Sequence, residues 1–448
     1  MKRYLSLLLV LFLFVGARPA RAQLLQSLLG GTPSTPTPTQ PAQGRYIVRS
    51  TGGLLSILNL CSILGCQVQG GLDGAVGQLF LVSSTTNLLS SAVSFLESLL
   101  GIVSVEVDRT LNIPRTAPLI PYAPGQLWQR TLINYYGTSV WYGYASQPAA
   151  QIVRVPDAQI GFNVTGTGIV ADIDTGVDPT HPALQGVLLQ GYDFTRNQPG
   201  ASELLDYYSS TAACSTCAPG RVNQSSMAIV DQSSMAIVDT APYVAFGHGT
   251  EVVGIIHLVA PKVKILPLKA FHANGTGYLS DILRAMYYAV QNKANVINMS
   301  FDFTSSSNEF TKAVNYANAH SVILVASAGN DGKQESVYPA SIKNVMGVAS
   351  TSDFDTRSTF SNYGSQVVWV AAPGEQIVTT YPFGSYAAGS GTSFSAPFVS
   401  GGMALLLNYD HDLTPTEAAW AIAHAQLLTP DLVNGRIDLY RALLSLQQ

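Results

Sequence analysis

Between about residues 145 and 448, six short, mostly apolar runs alternate with stretches of helical periodicity. The runs lie at 169–174, 265–271, 296–301, 322–328, 345–349 and 367–370; the helical stretches lie at 250–256, 279–291, 308–319, 396–407 and 415–425. A strand that is apolar on both sides belongs inside a parallel sheet, where crossover helices cover both faces. The expected fold is therefore α/β, a three-layer αβα arrangement around a central, mostly parallel sheet. Charged residues make up only 11% of the chain, well under the usual quarter, which suits a large buried sheet.

Four glycine-marked segments punctuate this frame. The run 169–174 closes on Asp174 and turns at Thr175-Gly176, and Gly247-His248-Gly249-Thr250 opens a helical stretch. Gly329-Asn330 follows the run 322–328, and Gly391-Thr392-Ser393 leads into an apolar helix. A helix N-terminus carries free N–H groups and the positive end of the dipole, so it favours developing negative charge. A serine hydroxyl is a weak nucleophile until a base takes its proton. Imidazole titrates near neutrality, which makes His248 the natural base for Ser393. The imidazolium then needs orientation and a compensating charge, and Asp174 at a strand end can supply both. Two other α/β readings fail. Gly166-Thr167-Gly168 precedes its strand instead of following it, so a dinucleotide-binding turn is not formed. An α/β-hydrolase needs G-x-S-x-G with the serine first in chain order, whereas Ser393 comes last.

The segments Val170-Ala171-Asp172-Ile173-Asp174-Thr175-Gly176-Val177-Asp178, Gly247-His248-Gly249-Thr250-Glu251 and Gly391-Thr392-Ser393-Phe394-Ser395-Ala396-Pro397, in the order Asp, His, Ser, resemble the subtilisin-like serine proteases, the subtilases. The resemblance implies peptide hydrolysis through an acyl-enzyme. Ser393 is then the nucleophile, His248 the base and acid, and Asp174 the orienting group. Asn330 and the Ser393 backbone N–H are then the oxyanion donors. Polypeptides are the implied substrates, bracketed by two edge segments, Thr276-Gly277 and Ser300-Phe301. Leu279 and Ile282 would line a distal apolar pocket, with plain core packing as the alternative. Ser327 and Gly329 would line the pocket beside the scissile bond. Some positions depart from the family pattern. Asp302 stands where glycine is frequent and would alter the cleft or give it an acidic rim. Glu251 stands where a second histidine is frequent and reads as a helix-surface acid. Phe394 replaces a common methionine. Asp172 shares a strand face with Asp174 and has no evident partner. No metal or other cofactor is required. The usual subtilase calcium cage is not expected, because Ala183 replaces its acid and no loop interrupts the helix after His248; other weak calcium sites stay open.

Upstream, residues 1–22 read as a secretory signal peptide: Lys2-Arg3, an apolar stretch and Ala20-Arg21-Ala22. Residues 23–44 read as a low-complexity linker, rich in Pro, Thr and Gln from 31 to 43. Residues 45–112 pattern as β-α-β-β-α-β, with helices near 54–63 and 88–100 and a strand near 78–82. This resembles a subtilase propeptide, a small α+β ferredoxin-like domain. Such a domain implies an intramolecular chaperone and inhibitor removed by self-cleavage. The cut is expected within a processing junction, 113–144, leaving a protease domain over 145–448. The expected product is exported, to the extracellular space or the periplasm, and monomeric, with no membrane attachment after signal removal. A net charge of −4 argues against a nucleic-acid partner. Cys61/Cys66 and Cys214/Cys217 form two local pairs that export would allow to bridge. The interval from Asp174 to His248 holds a tandem octapeptide, QSSMAIVD at 224–231 and again at 232–239, which reads as a duplication in a surface loop. Two other readings stay open: a catalytically silent peptide-binding relative, and an ester-directed serine hydrolase on the same fold.

Overall fold

The computed structural model describes residues 44–85, 87–89, 101–113, 124–207, 229–230 and 245–447. The chain divides into two compact units, Met1–Asp108 and Arg109–Gln448. The signal stretch, most of the linker, Cys214/Cys217 and nearly all of the octapeptide repeat lie outside the described residues.

The smaller unit contains β1 (Gly44–Ser50), α1 (Gly53–Leu64), β2 (Gln67–Gly71), β3 (Leu79–Ser84) and β4 (Ile102–Val107). Its sheet is antiparallel in the order β2-β3-β1-β4. Val48, Ile57, Leu60, Phe80 and Val82 make its core. Helix α1 ends at Gly65, whose left-handed φ of 70° lets its N–H cap the carbonyl of Cys61. Cys61 and Cys66 are joined by a disulfide. The second expected helix, 88–100, falls almost entirely outside the described residues.

The larger unit begins with β5 (Thr110–Asn112), a hairpin of β6 (Leu132–Tyr135) and β7 (Thr138–Trp141), and short helices α2 (Tyr142–Ala145), α3 (Pro148–Ile152) and α4 (Val155–Gly161). The sheet strands follow: β8 (Ile169–Asp174), β9 (Tyr192–Asp193) and β10 (Gln198–Pro199). After β11 (Ile229–Val230) and α5 (His248–Val259) come β12 (Lys264–Lys269), β13 (Thr276–Tyr278), α6 (Leu279–Gln291), β14 (Val296–Met299), α7 (Asn308–Ala319) and β15 (Ile323–Ser327). The chain ends with β16 (Val345–Thr351), β17 (Val370–Pro373), the pair β18 (Ile377–Tyr381) and β19 (Ser385–Gly389), and helices α8 (Thr392–Tyr409), α9 (Pro415–Ile422) and α10 (Leu439–Ser445). The main sheet has eight strands in the order β10-β9-β12-β8-β14-β15-β16-β17, parallel except for the short β10 edge. Alternate residues point to opposite faces. Val170, Ile265, Val296, Ile323, Val325 and Val348 share one core with α5 and α8. Helices α6 and α7 pack on each other and on β8, β12 and β15.

The expected start of this unit at 145 is too late. Leu127, Val140 and Tyr144 are fully buried in its main core, and the Tyr144 hydroxyl donates to the Gly254 carbonyl at 2.7 Å. Much of the expected junction is therefore packed structure. Short aromatic strands and one-turn helices carry no long periodicity to read.

Candidate active site

Asp174 ends β8, and His248 is the first residue of α5. The two elements meet closely because Gly249 has no side chain: a Cβ there would sit 2.0 Å from the Gly176 carbonyl oxygen. His248 Nδ1 lies 2.8 and 2.9 Å from the two Asp174 carboxylate oxygens. Both side chains are buried. Burial alone would lower the imidazole pKa, but the Asp174 charge and hydrogen bond outweigh it and hold it above the usual 6.5. The outer nitrogen, Nε2, has no partner among the described residues.

Asp172, two residues back on β8, does have a partner. Asn298 on β14 donates from Nδ2 to its Oδ1 at 2.9 Å, and also reaches Ser300 Oγ at 2.9 Å. Burial first, and then the neighbouring Asp174, push the Asp172 carboxyl well above the usual carboxylate range, against the lowering effect of the Asn298 bond. Asn298 is 126 residues away in sequence, so pattern alone did not reveal it.

Ser393 occupies the first turn of α8, which starts four residues before the expected 396. Pro397 lies inside that helix and lacks the N–H that would bond the Ser393 carbonyl. The Ser300 hydroxyl donates to that carbonyl instead, at 3.0 Å. The Ser393 hydroxyl in turn donates to the Ser300 carbonyl at 3.1 Å, not to His248. Asn330 closes the group. Its Oδ1 accepts from the Thr392 N–H and hydroxyl, both at 2.9 Å. That fixes the amide and turns Nδ2 outward, buried and without a partner among the described residues. A buried donor left unpaired costs about 1–3 kcal/mol, so such a group marks a place where an acceptor is expected. Thr392 is a contributor that the sequence reading passed over, although it sits inside the Gly-Thr-Ser motif.

The model of the subtilase family matches residues 166–438. The chain belongs to the subtilase family. It is a serine-type endopeptidase. It is similar to the thermophilic serine proteinase of Bacillus sp. (strain AK1), 36% identical over 237 residues, which is 53% of this chain and 51% of that one, so the match spans about half of that relative. Thermitase of Thermoactinomyces vulgaris is 32% identical over 288 residues, 62% of this chain and 88% of that one. The crystal structure of a lanthipeptide protease superposes with a TM-score of 0.53 over 67% of this chain and 95% of that one; at 24% identity it speaks for the fold alone.

In this subtilase, the Thr276-Gly277 edge is already paired. Strand β5 runs antiparallel to β13, with Thr276 opposite Asn112 and Tyr278 opposite Thr110. Flanking bonds from the Ile113 N–H to the Gly275 carbonyl (2.8 Å) and from the Leu279 N–H to the Arg109 carbonyl (3.0 Å) extend the ladder. Leu111 and Ile113 are buried, whereas Thr110 and Asn112 are exposed. This is the alternation of an extended peptide added to a sheet edge. Leu279 and Ile282 are buried, and so is Phe301, whose ring lies 5.1 Å from that of Phe271.

Two departures need correction. Glu251 is not a surface acid: α5 is buried all round, and Thr379 and Thr380 of β18 donate to the carbonyls of Glu251 and Thr250. Asp302 is no exposed rim; it is only 8% exposed. Phe394 and Ala183 are buried. Among the described residues, no group of three or more His, Cys, Asp or Glu side chains is arranged to hold a metal ion.

Glu203 has no motif around it, yet it braces both halves of the Asp–His pair. Its carboxylate accepts from the Gly247 N–H at 2.8 Å and the Thr175 hydroxyl at 3.2 Å, and also binds the Thr250 hydroxyl. Burial pushes its pKa up to about 7 from 4.5, against the lowering effect of Thr250 and Gly247. A raised pKa means that stability is highest below about 4.5 and falls as pH climbs through about 7. The loss amounts to about 3 kcal/mol. Glu203→Gln should abolish this slope. Denaturant unfolding, in a Ser393→Ala background to prevent autolysis, checks it. Between about pH 5 and about pH 8 the wild-type carboxylate should lose about 2.5 kcal/mol relative to the glutamine variant. A difference that does not change with pH would contradict the shift.

Proposed function

We propose that this subtilase is a secreted, self-processing endopeptidase that works through an acyl-enzyme, with Ser393, His248 and Asp174 as its triad. The observation that carries this reading is the pair of buried, unpartnered nitrogens near Ser393, His248 Nε2 and Asn330 Nδ2. One is a base awaiting a proton, and the other is a donor awaiting an anion. In the mechanism, rotation about the Ser393 Cα–Cβ bond exchanges the Ser300 carbonyl for His248 Nε2. Oγ then attacks the peptide carbonyl as its proton moves to Nε2. Asp174 keeps the other ring proton on Nδ1 and balances the imidazolium. The oxyanion takes hydrogen bonds from Asn330 Nδ2 and the Ser393 N–H at the start of α8. His248 returns the proton to the leaving amine, and water attacks the acyl-enzyme by the same route.

Self-processing is supported by residues 109–113 lying along the substrate edge, directly before the expected junction. In this reading the smaller unit is an inhibitory propeptide, and residues 109–113, which follow it in the chain, lie where a substrate would bind. Export is supported by the basic and apolar N-terminus and by the Cys61–Cys66 disulfide. No described helix is long and apolar enough to cross a membrane.

The test is to label the expressed chain with a fluorophosphonate and to follow intact mass and casein hydrolysis. A single adduct on Ser393 is expected. An adduct on another serine would overturn the assignment. A stable full-length chain with no adduct and no hydrolysis, even after trace external protease, would favour the silent peptide-binding relative. Cleavage of small esters with casein untouched would favour the esterase. Asn330→Ala should lower kcat by roughly 10²–10³-fold while KM moves little, because the lost bond forms only as the oxyanion does. Steady-state kinetics on a peptide anilide checks this, and a kcat within tenfold of wild type would remove Asn330 from the oxyanion site.

A further inference from the structure

Strands β14 and β15 are parallel neighbours, with Met299 opposite Ala326. Past the sheet, their continuations through 300–302 and 327–330 both touch the start of α8. Ser300 bonds Ser393, and the Gly329 N–H donates to Thr392 Oγ1 at 3.2 Å. A crevice beyond the C-terminal ends of adjacent parallel strands is where open α/β sheets hold ligands. Gly329 sits in it with φ +96°, and a Cβ there would lie 2.4 Å from Asn362 Nδ2 and 3.1 Å from Asp302 Oδ2. Those two atoms and Ser327 Oγ are buried, and each lacks a hydrogen-bond partner among the described residues. Asn362 is oriented by its other end, whose Oδ1 accepts from the Asp331 and Lys333 N–H groups at 3.1 Å. The Asp302 carboxylate and the Asn362 amide thus both abut Gly329, with Ser327 two residues before it at the end of β15.

Resting on the reading of Ser393 and Asn330 given above, we propose that Asp302 makes this crevice a pocket for a cationic side chain, so that the enzyme cleaves after arginine or lysine. A carboxylate facing an apolar residue there would be desolvated without compensation. Facing a guanidinium or ammonium, it gains a charge-assisted bond, with Ser327 Oγ as a further acceptor. Burial first, and then the charges of Asp331 and Glu335, push the Asp302 carboxyl up to about 7, the mark of an acid lacking a counter-charge. A neutral or anionic side chain leaves that deficit in place, and a cation removes it. The same preference sets the maturation cut. Arg115 and Arg130 are the only basic residues between 113 and 144, and the Arg130 guanidinium is stacked between Trp128 and Trp141, 5.3 Å from each ring. Self-processing should therefore expose Thr116 as the new N-terminus.

The experiment compares kcat/KM of the mature enzyme on peptide anilides that differ only in the last residue: Arg, Lys, Leu, Phe and Glu. Arginine or lysine should exceed leucine and phenylalanine by about tenfold or more, the scale of one buried charge pair. Asp302→Asn should shrink that ratio at least tenfold, whatever happens to the absolute rates. Should the variant not fold, wild-type inhibition by peptidyl-argininal against peptidyl-leucinal reads the same preference. Faster cleavage after leucine or phenylalanine, or a ratio unchanged in Asp302→Asn, would overturn the pocket and leave Asp302 as a partner of Asn362 in the fold. No hydrolysis of any anilide, with Ser393 unlabelled by the phosphonate, would overturn both this proposal and the catalytic reading beneath it.

Discussion

Ser393→Ala is expected to give a full-length chain that never matures and a kcat lower by about 10⁶-fold. The alanine removes the proposed nucleophile, the hydroxyl that donates to the Ser300 carbonyl at 3.1 Å. Thr392, its neighbour, is already committed to Asn330 and to the Gly329 N–H. Ser395 is turned away, donating to the Pro373 carbonyl at 3.2 Å. Neither can take over. The oxyanion donors remain, so a residual rate of roughly 10³–10⁴ over water is expected. Intact mass over time, wild type beside variant, provides the readout. Loss of a fragment ending in the junction from both chains would mean that another protease performs the cut.

Asp174→Asn should lower kcat by roughly 10⁴-fold without unfolding the site. Asp174 spans Nδ1 with both oxygens, and its Oδ1 also accepts from the Thr175 N–H at 2.6 Å. An asparagine retains that turn but can offer an N–H to Nδ1, which moves the ring proton to Nε2 and blocks the base. The pH profile separates this from mere loosening. In the wild type the acid limb of kcat/KM should lie above 6.5, because the Asp174 charge overcomes the effect of burial on His248. Removing that charge disfavours the imidazolium, so the residual activity should extend to lower pH. An acid limb that stays in place would mean that another group sets it.

The central strands were legible because burial on both faces writes a short, mostly apolar run. The bounds of β8, α6 and α7 in particular coincide with their patterns. The starts of α5 and α8 were read late because glycine near one and Pro397 in the other argue against helix, yet those are the turns that carry His248 and Ser393. Glu251 was misread because a charged residue on a helix is seldom fully buried. Glu203 and Asn298 were invisible for a different reason. Each acts through a partner 44 to 126 residues away, and no local spacing records such a contact.

The ladder between β5 and β13 has a bearing on solubility. A strand edge left open invites a second molecule to dock and propagate. While 109–113 lies on it, the Gly275–Leu279 edge has its hydrogen-bonding groups covered. In the proposed processing, removal of that tail leaves a template only three strand residues long, with Gly277 at its centre. That is long enough to hold an extended peptide for the time of one turnover, and too short to seed a stack of copies. Keeping the docking strand this brief allows an endopeptidase to present an open edge to polypeptides without offering a long template for aggregation.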